Sequence, residues 1–137
     1  ISIDKKLFKK ANTAKGVELI ALENDNAKVG DLVTVRIIIK IETDLEFVHL
    51  KDLRASCLEP VDVISKYEWK GNFSYYKSTK DVSTNFFFDR LQKGTYVLEY
   101  DLRVTNQGNF NNGISTLQSM YAPEFSAHSE NSKVIVK

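Results

Sequence analysis

The chain has 137 residues but only one cysteine, Cys57, and two histidines, His49 and His128. A lone thiol excludes an internal disulfide framework. A metal centre needs three or four ligands, several at short spacing, and two distant histidines do not supply them. His49 lies between Val48 and Leu50, on the polar side of an apolar alternation, and His128 lies in a polar segment. No glycine-rich loop of the phosphate-cradling kind is present. Gly113-Ile114-Ser115-Thr116-Leu117 starts like a nucleophile elbow but lacks the second glycine and the parallel sheet that holds such a turn. No run approaches the ~20 apolar residues of a membrane span, so this segment is not expected to insert in a membrane. A net charge of +1 gives no reason to expect nucleic acid or an anionic surface as partner. No apolar spacing of three and four residues persists over ten positions, so little helix is expected. These absences leave no catalytic residue, cofactor-binding residue or metal ligand to name, and the chain is not read as an enzyme.

What is present is two-residue alternation. Val33, Val35, Ile37, Ile39 and Ile41 are apolar, while Thr34, Arg36, Lys40 and Glu42 face the other way. Tyr96, Leu98, Tyr100, Leu102 and Val104 repeat the pattern, with Glu99, Asp101 and Arg103 sharing a charged face. Each reads as a long strand with one buried side. Shorter strands read at Val17–Leu22, Phe47–Lys51, Asn85–Arg90, Ile114–Tyr121 and Lys133–Val136, with a weaker one at Ile1–Phe8. Turns fall at Asn24-Asp25-Asn26, Thr43-Asp44, Lys93-Gly94 and Asn111-Asn112-Gly113. The pattern predicts an all-β, immunoglobulin-like antiparallel sandwich of Greek-key type with about seven to nine strands. Leu91 to Tyr96 reads as the turn into a strand carrying a tyrosine corner. An apolar content of 42% and a charged content of 27% suit one globular domain spanning residues 1–137. The N-terminal lysines, Lys5, Lys6, Lys9, Lys10 and Lys15, read as a solvated edge strand that deters sheet-to-sheet pairing.

The aromatics carry two readings. Trp69, Phe73, Tyr75 and Tyr76 crowd one short stretch around Gly71-Asn72. They are either core and rim of a hairpin, with Trp69 and Tyr75 on one face, or an exposed platform of the kind that holds sugars. Phe86 and Phe88 point one way and Phe87 the other, so one of these faces must meet something beyond a simple sheet interior.

Met120-Tyr121-Ala122-Pro123-Glu124-Phe125 reads as a strand end, a proline-marked corner and the approach to a closing strand. This segment resembles the end of the large bacterial alpha-2-macroglobulin-like proteins, whose final domain closes with methionine-tyrosine-x-proline-glutamate. Val29-Gly30-Asp31, Phe47 to Asp52, Glu59-Pro60-Val61, Ser83 to Asp89, Lys93-Gly94-Thr95-Tyr96 and Tyr100-Asp101-Leu102-Arg103 agree with that family, in its order. Cys57-Leu58-Glu59-Pro60 is one letter from the family's thioester motif, Cys-x-Glu-Gln. Proline lacks the side-chain carbonyl to which the sulfur bonds, so Cys57 is expected to be a half-buried structural thiol. Ala55-Ser56-Cys57 stands where the family has a proline-alanine-glycine loop, and the corner there is expected to differ in shape.

The resemblance implies a macroglobulin-type sandwich that closes a much larger protease-trapping (endopeptidase inhibitor) protein. The expected partners are neighbouring domains of the parent chain, with a target protease engaged only through the whole parent. The start at Ile1, without a methionine or signal pattern, reads as a fragment of such a parent, itself secreted or lipid-anchored in the cell envelope, periplasmic or surface-exposed. Tyr121, Phe125, Trp69, Tyr75 and Tyr76 are the candidate interdomain contacts. A carbohydrate-binding or adhesion module using the Trp69–Tyr76 aromatics is the alternative, and exposure of the Trp69 indole would separate the two.

Overall fold

The computed structural model describes residues 1–14, 16–21, 28–61, 66–70, 73–79, 83–121, 126–130 and 133–136. The described residues form strands and no helix. A five-stranded sheet has the order β2 (Gly16–Ala21), β1 (Ser2–Thr13), β3 (Leu32–Ile41), β9 (Gly94–Val104), β5 (Leu58–Pro60). A six-stranded sheet runs β12 (Ser126–His128), β11 (Ser115–Ser119), β4 (Leu45–Leu53), β8 (Ser83–Leu91), β7 (Phe73–Thr79), β6 (Lys66–Lys70). β10 (Gly108–Asn111) and β13 (Lys133–Val136) form a separate antiparallel pair. After β3 the chain crosses to the second sheet for β4 and returns for β5. It crosses again for β6 to β8, and comes back to lay β9 between β3 and β5, a Greek-key interleaving.

The thirteen strands among the described residues exceed the expected count. Leu58–Pro60, Ser126–His128 and Gly108–Asn111 are too short to show a period, and the Lys66–Thr79 stretch contributes two strands. The register of that hairpin corrects one expectation: Trp69 pairs with Ser74 and Tyr75 with Glu68. Positions 69 and 75 therefore fall on alternate sides of the pleat, not on one.

The long alternations fold as their spacing predicts. Val33, Val35, Ile37 and Ile39 are fully buried, as are Leu98 and Leu102, and the register sets Ile37 opposite Leu98. Leu50, Phe86, Phe88, Leu91 and Leu117 close the core from the other sheet. On the outer side, Arg36 meets Glu99 at 3.0 Å and Lys10 meets Asp101 at 2.8 Å, a charge ladder across β1, β3 and β9. The Tyr96 hydroxyl donates to the Gln92 carbonyl at 2.6 Å, four residues upstream, as in a tyrosine corner. Cys57 is buried beyond the half-burial expected of it, in a turn closed by the Leu58 N–H on the Ala55 carbonyl at 3.0 Å. Burial pushes its thiol up, away from the reactive thiolate.

The solvated-edge reading of the N-terminal lysines needs correction at Lys5. Among the described residues β2 pairs with Phe8 to Thr13 and leaves the outer edge of Ser2 to Leu7 without a ladder partner, and Lys6 there is 60% exposed. Lys5 instead falls in the inward series with Ile3 and Leu7, and its ammonium lies 2.6 Å from Asp52 Oδ1 with both side chains almost wholly buried. The Tyr100 hydroxyl donates to Asp52 Oδ2, Ser115 Oγ donates to Oδ1 at 2.7 Å, and Lys5 Nζ also donates to the Leu53 carbonyl at 2.7 Å. The four side chains come from β1 and β9 in one sheet and from β4 and β11 in the other. They tie the two layers together through the core.

Burial, then the Asp52 charge and hydrogen bond, hold the Tyr100 hydroxyl well above its ordinary range. An unfolded tyrosine titrates near pH ~10. The folded hydroxyl keeps its proton above that pH, so this stabilisation is full below about pH 10 and is lost as pH rises through the folded value. Urea midpoints are expected to fall from about pH 10 to 11 in the parent sequence and to fall less in Tyr100→Phe. Equal slopes would show that Tyr100 titrates alike in both states.

Candidate functional site

The candidate site is the corner where β11 ends beside the start of β4. Alternation in β4 slips there: Leu45 and Val48 are both inward, and their partners Leu91 and Phe88 slip at the same level on β8. Phe47 absorbs the slip with φ +52°, a left-handed conformation that costs a non-glycine residue roughly 1–3 kcal/mol. The kink turns its ring outward to 43% exposure. The Met120 N–H donates to the Phe47 carbonyl at 2.9 Å, and Ser119 Oγ donates to the Glu46 carbonyl at 3.3 Å. These bonds fix Tyr121 beside Phe47, the rings edge-to-face at 5.0 Å between centroids. Tyr121 is nevertheless 79% exposed and Met120 60%, so the corner presents a sulfur and two rings to solvent.

A second group lies along the outer face of the same sheet. His49 stacks on Phe87 at 4.7 Å, within 2° of parallel, and its Nε2 lies 2.8 Å from Asn85 Oδ1. Half-buried Tyr76 follows at 6.3 Å from Phe87. The cross-strand register runs Gln118, His49, Phe87, Tyr76, Tyr67 in one row over five strands. His128 is exposed, with Nδ1 at 3.2 Å from the Ser129 carbonyl.

Of the residues named from sequence, Tyr121 stands at the corner and Tyr76 in the row. Trp69 and Tyr75 are placed by backbone register alone, and Phe125 lies outside the described residues. Of Trp69 only the backbone is described, so the indole exposure that would separate a sugar platform from a packing surface falls outside that description. In the described part of the row, His49 covers one face of the Phe87 ring, whereas a sugar platform needs open ring faces. Sequence reasoning missed Phe47 and the His49–Phe87 stack. The one signal for Phe47 is the adjacent apolar pair Phe47-Val48, which breaks the strict alternation.

No curated protein sequence matches the chain. The fold recurs in solved structures. Native alpha-2-macroglobulin from Escherichia coli, spanning the MG7 domain to the C-terminus, matches with a TM-score of 0.78 at 18% identity, over 98% of this chain and 23% of that one. Salmonella alpha-2-macroglobulin reacted with methylamine gives 0.77 at 16% identity, over 99% of this chain and 9% of that one. This chain therefore spans a small part of those relatives. The N-terminal domain of a Streptococcus gordonii adhesin gives 0.61 at 11% identity, over 89% and 34% of the two chains. Identities this low show the fold alone. Residues 1–124 match the family model of the bacterial alpha-2-macroglobulin MG10 domain, and with that match over most of its length the chain belongs to this family.

Proposed function

We propose that this segment is a single, non-catalytic domain, residues 1–137, near the C-terminus of an alpha-2-macroglobulin-like protease trap in the bacterial cell envelope. Its role is to pack against neighbouring domains of the parent and hold the resting state, while a target protease meets only the whole parent. The observation that carries this reading is the corner of Phe47, Met120 and Tyr121. The left-handed turn that takes up the β4–β8 slip also turns the Phe47 ring outward, beside a 79%-exposed tyrosine and a 60%-exposed methionine. An apolar cluster left in water by a lone domain is accounted for by burial on packing. The pairing of a rigid aromatic anchor with a flexible methionine also suits such an interface.

Replacing Tyr121 and Phe125 together by serine in the full-length parent tests this. The double variant is expected to loosen the resting state, so that a test protease cuts exposed sites faster than in the parent. Far-ultraviolet circular dichroism of the domain should stay unchanged, since Tyr121 contributes little to the core. An unchanged cleavage rate, or loss of the fold, would count against the interdomain role.

A further inference from the structure

We propose that Lys5 and Asp52 form an intramolecular isopeptide bond that covalently joins the two sheets. The ammonium and the carboxylate stand 2.6 Å apart, with side-chain exposures of 1% and 0%, and the carboxyl carbon is one bond beyond the contacted oxygen. Reacting groups held this way have lost the translational freedom that makes amide condensation slow in solution. Both hydroxyls on the carboxylate are donors, Tyr100 to Oδ2 and Ser115 to Oδ1, and they draw electron density from the carbon under attack. Tyr100 stays protonated well past neutral pH, so it remains a donor throughout. Ser115 is itself held by its N–H on Ser129 Oγ at 2.8 Å.

The step balances without any co-reactant. Lys5 Nζ passes one proton to the carboxylate, and its lone pair then forms the N–C bond to Asp52 Cγ. The Cγ–Oδ1 bond breaks, and that oxygen leaves as water with the transferred proton and a second one from nitrogen. Oδ2 remains as the amide carbonyl, accepting from Tyr100, and the amide N–H remains directed at the Leu53 carbonyl. The reaction also removes both buried charges. The desolvation that burdens an ion pair in an apolar core therefore favours the neutral amide. The link joins β1, whose first half pairs among the described residues with β3 alone, to β4 in the middle of the opposite sheet. It would hold the exposed end of the domain against unzipping.

The test is peptide mapping by mass spectrometry of the full-length parent, denatured before digestion with trypsin. The expected result is one branched peptide carrying both Lys5 and Asp52, lighter by one water than the two sequences together, with no cleavage after Lys5. The branched peptide should vanish in Lys5→Arg and in Asp52→Ala. Intact Asp52→Asn offers an independent check, since condensation there would release ammonia and give the same branched product. Recovery of the Lys5 and Asp52 peptides separately and in full from the folded parent sequence, even after days of incubation, would overturn the proposal. A branched peptide persisting in Lys5→Arg would do the same.

Discussion

Asp52→Ala is expected to lower the stability of the domain by about 3–5 kcal/mol, the range for breaking a fully buried charge pair. The Lys5 ammonium would keep its place in the core without its counter-charge, still donating to the Leu53 carbonyl, and the Tyr100 and Ser115 hydroxyls would lose the Asp52 carboxylate as acceptor. A covalent link between Lys5 and Asp52 would enlarge the loss. Combining Asp52→Leu with Lys5→Met should recover the part that comes from stranding the Lys5 charge, since apolar side chains need no counter-charge, but not the part due to the covalent link or to the Tyr100 and Ser115 hydroxyls. Urea unfolding with both midpoint and slope measured is the check. A loss under about 1 kcal/mol for Asp52→Ala would show that Lys5 swings out to water at little cost.

Truncating the core strands comes next in size. Leu102→Ala and Ile37→Ala are each expected to cost roughly 2–5 kcal/mol. Both side chains are wholly buried, and they sit on the inward face of two long paired strands, β3 and β9. Neither can collapse easily onto a neighbour, since the residues two positions away along each strand are buried too. A change below about 0.5 kcal/mol, typical of surface sites, would mean that this face is not the one that packs.

The inward face of β3 and β9 was legible because alternation of period two is imposed by the pleat itself, so Val33 to Ile41 and Tyr96 to Val104 declare their faces. The same rule set Phe87 on the opposite side from Phe86 and Phe88, and the fold shows that Phe87 is the outward one. It misread Lys5, because a charged residue in an alternating strand is assigned to solvent by default. Only the three-dimensional placement of Asp52, Tyr100 and Ser115 supplies the partners that let a lysine turn inward. Phe47 was illegible for a different reason. Its left-handed backbone arises from a slip shared by β4 and β8, and the sequence marks that slip only by the adjacent apolar pair Phe47-Val48, which does not say which of the two turns outward. The three- and four-residue strands carry too few residues for any period to show. Tyr121 was singled out by family resemblance and by its place before Pro123, while its edge-to-face partner came from the fold.

The central claim is that the Phe47–Tyr121 corner is covered in the resting parent. Its most direct test is hydroxyl-radical labelling of Tyr121, compared between the full-length resting protein and the separate domain. Tyr121 is 79% exposed in the domain, so it is expected to label rapidly there and several-fold more slowly in the parent. Equal labelling in the two would place the corner in solvent in the resting state and contradict the account.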